Sequence, residues 1–331
     1  MNISATGLHA ASKMAQAISQ NIANSNTPGY RRVDVVTGEM NFSGPGNVPF
    51  APGGVRSSAI TQSQPWLDNR LSLAVNQSTH THAYQQSINQ FASVANTDRL
   101  EDSFSQLMAA SQDAMANLTG SQAVERFKAI SKGMVLDMNQ YQEQAQRVID
   151  NLKFQQNVAR QELVSINELP GDNLDRKNQL YAEISGIQKA LDGVIGESVA
   201  SAQKIIGTAV KDINDKYGKE ILAIDAEGKV ISDFKEGGDF AALAEYGNQQ
   251  FNTDLGAIKS KIGVAQRSAN SQVEFAQNEL EGASQAWNQV YGVDLTQEAI
   301  KLRQTETYQQ ANALALKTAS DMTGTLLNML A

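Results

Sequence analysis

The run Met134-Val-Leu-Asp-Met138-Asn-Gln-Tyr141-Gln-Glu-Gln-Ala145-Gln-Arg-Val148-Ile-Asp-Asn-Leu152 sets apolar residues at steps of 4, 3, 4, 3 and 4. At 3.6 residues per turn those positions form one stripe along an α-helix. The ladder reaches back to Phe127 and Val124 and continues through Ala159 and Ile166 to Leu169, which predicts a helix of many turns with a coiled-coil-like seam. Met134 and Met138 read as core filler rather than a ligand surface.

The same steps recur on either side. Leu100, Phe104, Leu107, Ser111, Ala114 and Leu118 precede the ladder. Pro170-Gly171-Asp172 breaks it, and a second helical stretch runs from Asp175 to Tyr217. Its glycines at 186, 193, 196 and 207 each lower helix stability by up to about 1 kcal/mol relative to alanine. A third long helix, Thr253 to Tyr291, carries Leu255, Ile258, Ile262, Ala265, Ala269, Gln272, Ala276 and Ala283. Between the second and third, Glu220–Ile224 and Lys229–Phe234 flank Asp225-Ala-Glu-Gly228, a β-hairpin pattern.

Five of the six prolines precede Leu67, and three lie in the Gly-rich stretch Asn41–Gly54, which predicts an irregular loop. Gly54–Val75 alternates loosely and reads as short extended segments. The predicted fold is mainly α: a long-helix bundle with coiled-coil-like packing, a small β-hairpin and extended loop segments. Its parts are an N-terminal helix and turn (1–40), an extended or irregular segment (41–99), a long-helix bundle (100–291) with a hairpin insertion at about 219–235, and a C-terminal helix (292–331).

Composition narrows the chemistry. Twenty-seven Lys and Arg against 35 Asp and Glu leave a net charge of −8, which argues against nucleic acid or an anionic membrane surface as partner. The adjacent Arg31 and Arg32 read as solvated side chains rather than as a phosphate site. Without cysteine there is no thiol nucleophile, disulfide or thiolate metal site. The sequence lacks a Walker loop, a dinucleotide fingerprint, a nucleophile elbow and a His-Glu-x-x-His pair. His80 and His82 would share a face only on a strand, and no third ligand accompanies them. Asp225 and Glu227 lack the rest of a calcium loop. No enzyme, metal site or cofactor is expected.

Both ends are amphipathic. Leu8, Ala11, Ala15, Ile18 and Ile22 make a narrow stripe that short isolated helices cannot hold in water, so this helix needs a partner. It ends at Asn24-Ser25-Asn26-Thr27-Pro28-Gly29-Tyr30, where Pro-Gly suits a type II turn. At the other end Asp294, with Gln297 three residues on, starts a helix carrying Leu295, Ala299, Leu302, Tyr308, Ala311, Ala315, Ala319, Met322, Leu326 and Met329.

These ends resemble a known family. Gln20-Asn-Ile-Ala-Asn-Ser-Asn-Thr-Pro-Gly-Tyr30, after a helix with Gly7-Leu8, is similar to the N-terminal signature of bacterial flagellar axial proteins: rod, hook and hook-associated. Gly292-Val-Asp-Leu295, Glu298, Tyr308-Gln-Gln-Ala-Asn-Ala313 and Leu326-Leu-Asn-Met-Leu330 resemble the C-terminal one. Within the family, Gly54-Val55, Ile60, Trp66-Leu-Asp-Asn-Arg-Leu71, the long helices and the closing Leu-Leu-Asn-Met resemble the hook-associated members. Relatives usually carry larger β-rich outer domains.

The resemblance implies a structural protein at the hook–filament junction, polymerising helically through its terminal helices. It would be secreted through the flagellar type III apparatus without a cleaved signal. The implied interface is Leu8, Ala15, Ile18, Asn21, Ile22, Asn24, Thr27, Pro28, Gly29 and Tyr30, with Val293, Leu295, Leu302, Tyr308, Ala311, Asn312, Met322, Leu326 and Leu327. The implied partners are further copies, the hook protein, a second junction protein, and an export chaperone on Met322, Leu326 and Met329. Another axial protein, a glycan-cleaving enzyme and a secreted coiled-coil effector remain as alternatives.

Overall fold

The computed structural model describes residues 2–27, 29–39, 53–95, 97–116, 121–168, 173–204, 223–224, 230–231 and 252–330. Its helices are α1 (Asn2–Ala23), α2 (Pro65–Val94), α3 (Asp98–Ala116), α4 (Ser121–Glu168), α5 (Leu174–Ala190), α6 (Asn252–Tyr291) and α7 (Leu295–Leu330). Strands β1 (Val33–Glu39) and β2 (Val55–Thr61) pair antiparallel with Val33 opposite Thr61, and β3 (Ala223–Ile224) pairs with β4 (Val230–Ile231). The fold is mainly α, as the ladders predict. The chain divides into two compact units, Met1–Leu71 with Glu281–Ala331, and Ser72–Leu280.

The Ser72–Leu280 unit is the bundle. Helices α3 and α4 run antiparallel, with Arg99–Asp137 at 2.8 Å and Arg126–Asp113 at 3.9 Å nearer the connection. Helix α5 returns along α4, tied by Arg176–Glu162 at 2.7 Å and by Gln156 Nε2 donating to Gln188 Oε1 at 2.8 Å. Helix α6 runs antiparallel to α2, where Gln85 Nε2 donates to Asn270 Oδ1 at 2.8 Å and Gln266 Nε2 to Asn89 Oδ1 at 3.3 Å.

The predicted ladders supply the core. Leu100, Phe104 and Leu107 of α3, Phe127, Met134, Met138, Tyr141, Ala145 and Leu152 of α4, and Leu255, Ile258, Ile262, Ala265 and Ala269 of α6 are all buried in one cluster. At this level of α6 the buried residue is Val273, while Gln272 is half-buried and accepts a bond from Lys189 at 3.4 Å.

Helix α5 holds Leu180, Ile187 and Ala190 buried, passes through a π turn at Leu191–Ile195 and continues as helix over 196–204. Gly193 is non-helical inside that turn. The next buried residues are Ile195, Ser198 and Ala202, so the seam takes one five-residue step where the helix is widened.

The sequence reading is overturned over Pro65–Val94, where extended or irregular structure is expected and a thirty-residue helix stands. Its inward seam is Ala74, Ser78, Thr81, Tyr84, Ile88, Phe91 and Ala95, all buried. The helical steps are present, but Ser78 and Thr81 hide them from a count of apolar residues. Both hydroxyls are short, and Thr81 satisfies its own by donating to Gln77 O at 3.0 Å. Pro65 sits at the first helical position, where its missing N–H costs nothing. On a helix His80 and His82 point to different sides, which removes the reason for a shared metal site. Strand β1 is also unexpected, although its Val33, Val35, Val36 and Thr37 are β-branched.

Most of the predicted loop Asn41–Gly54, the break at 170–172, the stretch 205–217 and most of the hairpin at 219–235 lie outside the described residues. So do Leu118 and Leu169, and so does the side chain of Val124. Among the described residues no helix is long and apolar enough to cross a membrane.

Candidate assembly site at the paired terminal helices

In the other unit α1 lies antiparallel on α7: Asn21 meets Glu298, and Gly7 meets Asn312. The buried residues of α1 are Ala10, Ala11, Ala17, Ile18 and Asn21. The inward face of α7 carries Glu298 and Thr305, both buried, with Leu302, Gln309, Asn312 and Leu316 half-buried. Both faces are turned from the predicted stripes. On α1 the face includes Gly7 and Asn21 in place of Leu8 and Ile22. On α7 it includes Thr305, Asn312 and Leu316 in place of Tyr308, Ala311 and Ala315.

The reason lies in Asn21, only 1% exposed. Its Oδ1 accepts from Val33 N at 2.9 Å and Tyr30 Oη at 2.9 Å, while Nδ2 donates to Val33 O at 2.9 Å and Glu298 Oε2 at 3.0 Å. One side-chain amide thus pairs with both backbone groups of Val33 in β1 as a neighbouring strand would, and still reaches α7. A buried amide must have such partners. Glu298, 0% exposed, also accepts from Lys301 Nζ at 3.2 Å, and Lys301 donates to Asp34 Oδ1 at 3.0 Å. The buried carboxylate is therefore both paired and hydrogen-bonded, the condition for keeping a charge out of water. Burial, and then the nearby Glu298 carboxylate, raise the Tyr30 phenol above its ordinary value, so it remains a donor.

The turn after α1 delivers Tyr30 and Val33 to Asn21. Asn24 Nδ2 donates to Gln20 O at 2.9 Å, and Ser25 Oγ to Ile22 O at 2.9 Å, which occupies carbonyls at the helix end. Gly29 has φ +75°, and Tyr30 N donates to Thr27 O at 3.1 Å. A positive φ at the third turn residue is what glycine supplies. Pro28 lies outside the described residues.

A second node fixes the following residues. Arg31 pairs with Asp68 at 2.8 Å and lies 4.9 Å above the Tyr291 ring, and Arg32 N donates to Tyr291 O at 3.0 Å. Trp287 Nε1 donates to Asp68 Oδ1 at 3.1 Å and meets Tyr291 edge-on at 5.0 Å. Tyr291 Oη donates to Gln64 O at 3.2 Å and accepts from Gln64 N at 2.5 Å. Arg31 and Arg32 are thus committed to the fold rather than to a phosphate. Asp294 caps α7 as its sequence predicts, accepting from Thr296 N at 2.9 Å and Gln297 N at 3.2 Å.

Of the residues implied by the resemblance, Ile18 and Asn21 are buried, and Leu8, Ala15, Asn24, Tyr30, Val293, Leu302 and Asn312 are half-buried. Ile22, Thr27, Gly29, Leu295, Tyr308, Ala311 and Met322 are exposed. The side chains of Leu326, Leu327 and Met329 lie outside the described residues. Sequence reasoning missed Asp34, Lys301, Trp287 and Tyr291, which no periodicity marks. Glu298 and Asp68 stand inside quoted motifs but carry no signal of their own. Among the described residues no three His, Asp or Glu side chains gather as a metal site.

Residues 1–31 match the family model of the flagella basal body rod protein. That segment is α1 and its turn, including Asn21, Gly29 and Tyr30. The match supports a flagellar structural protein of the axial class. No curated protein and no solved structure matches the chain.

Proposed function

We propose that the chain is a non-enzymatic building block of the flagellar axis, secreted unfolded and polymerising through α1 and α7, and that its position is the junction between hook and filament. The observation that carries the reading is the coincidence of two facts on one helix. The segment similar to the rod family is the segment whose Asn21 recruits the opposite end of the chain through Glu298. A paired terminus that leaves large apolar side chains such as Leu314 and Met322 in water is suited to bury them against neighbours. On this reading the neighbours are further copies, the hook protein and a second junction protein, and the Met322–Met329 turn is where an export chaperone binds.

A second reading places the chain elsewhere on the same axis, including the rod, and the description of the matching family favours it. Deleting residues 1–31 separates the two. Cells that build hooks without filaments support the junction; cells that build no hook support a rod position. Normal motility from the deletion overturns both.

A further inference from the structure

Three helices of the bundle frame a groove of about 320 Å³, with Ser78, His82 and Gln86 of α2 on one wall, Gln155 of α4 on another, and Glu183 and Ile187 of α5 on the third. That volume lies at the small end of the range for small-molecule sites, about 300–1,000 Å³. Ser78 is buried, His82, Gln155 and Glu183 are half-buried, and Gln86 stands at the exposed rim.

None of these five polar side chains bonds to another described residue, although they converge from three helices. Elsewhere in the bundle facing amides pair with each other. On the opposite flank of α2 Gln85 bonds Asn270 and Gln266 bonds Asn89, and beside the groove Gln156 bonds Gln188. Polar groups drawn partly out of solvent need partners, so the bonding capacity of these five is left for an occupant of the groove.

The lining selects the chemistry of that occupant. Among the described residues no lysine, arginine or aromatic ring lines the groove, so an anion meets no cation there and a flat ring meets no stacking face. Amide, imidazole and hydroxyl groups are each donor and acceptor at once, which is also the character of an alcohol. A carboxylate such as Glu183 accepts from two neighbouring hydroxyls together, and Ile187 gives C–H groups an apolar contact. We propose that this groove binds a neutral, hydroxyl-rich small molecule, a mono- or disaccharide. Glu183 is the one carboxylate in the described lining, and glycoside cleavage needs two, so the site binds without hydrolysing. The proposal lies in the bundle and is independent of the assembly reading above.

The test is calorimetric titration of the full chain with glucose, N-acetylglucosamine and maltose through the millimolar range. Hydrogen exchange read by mass spectrometry locates the contact, and circular dichroism checks folding. At least one saccharide should bind and slow exchange over residues 78–87 and 183–187. Gln155→Ala and Glu183→Ala should each weaken it about tenfold, the effect of losing one good hydrogen bond. Gln85→Ala, on the other flank of α2, should bind as wild type. Putrescine and inorganic phosphate serve as comparators: tighter binding of either at this groove assigns it to an amine or an anion and overturns the proposal. No heat from any of the three saccharides, wild-type affinity in either groove variant, or an equal loss in Gln85→Ala also overturns it.

Discussion

Asn21 donates to Glu298 at 3.0 Å across 277 residues of sequence, and neither side chain meets solvent. Replacing Asn21 by alanine leaves Val33 without its side-chain partners and Glu298 short of a donor. Each buried polar group so orphaned costs about 1–3 kcal/mol. Asn21→Ala should therefore destabilise the terminal unit by at least about 2 kcal/mol. Asn21→Asp should be worse, because it sets a second carboxylate against the first. Trp66 and Trp287 both belong to this unit, so fluorescence during urea unfolding follows it; an unchanged midpoint would refute the role given to Asn21.

Gly186 lies where α5 crosses α2, and a Cβ there would stand 2.4 Å from His80 O, 2.9 Å from Ala83 Cβ and 3.1 Å from Tyr84 N. Two of these are backbone atoms that cannot swing away. Gly186→Ala should cost about 1–3 kcal/mol by overpacking, although alanine is the better helix former. Thermal unfolding monitored by helical circular dichroism checks this, and a raised Tm would be incompatible with the crossing.

Tyr141 is buried with its hydroxyl unpartnered, and burial pushes its pKa up to about 12. Tyr141→Phe removes a buried group that has no bond to lose, so bundle stability at neutral pH should hold or rise by up to about 1 kcal/mol. The folded chain keeps this proton longer than the unfolded one. Stability should therefore fall as pH rises from the ordinary phenol value to about 12, and Tyr141→Phe should flatten that fall.

His80 behaves in the opposite sense at the acid end. Burial, and then the Lys189 ammonium, hold its pKa below the ordinary imidazole value of 6.5, and its Nδ1 has no partner. The unfolded chain takes up the proton first. Bundle stability should decline as pH drops through 6.5 and level off below the lowered folded value. His80→Gln should reduce that slope in urea midpoints measured across the range.

The bundle was legible because its seams are built from leucine, isoleucine, methionine and alanine at helical steps, and Leu100, Tyr141 and Ile258 report their burial directly. Helix α2 was not, because Ser78 and Thr81 occupy seam positions. The terminal pair was half legible. Ala11 and Ile18 mark the buried side of α1, but its two ends are Gly7, read by the closeness it permits, and Asn21, read by the bonds it makes. Apolar periodicity registers neither property. Glu298 is the sharper case, since a glutamate on a helix reads as solvated until the residue that meets it across the chain is known.

The π turn at Leu191–Ile195 bears on how this chain tolerates changes in length. Before it the buried positions keep one phase, and after it Ile195, Ser198 and Ala202 keep that phase only because one extra residue is looped into the turn. What the bundle holds fixed is the angular alignment of α5, not the number of residues in it. Removing Gly193 would turn the widened turn into ordinary helix and leave both halves of the seam aimed inward. The same deletion at Leu180, ahead of the turn, would rotate the following helix by about 100° and carry buried Ile187 and Ala190 out towards water.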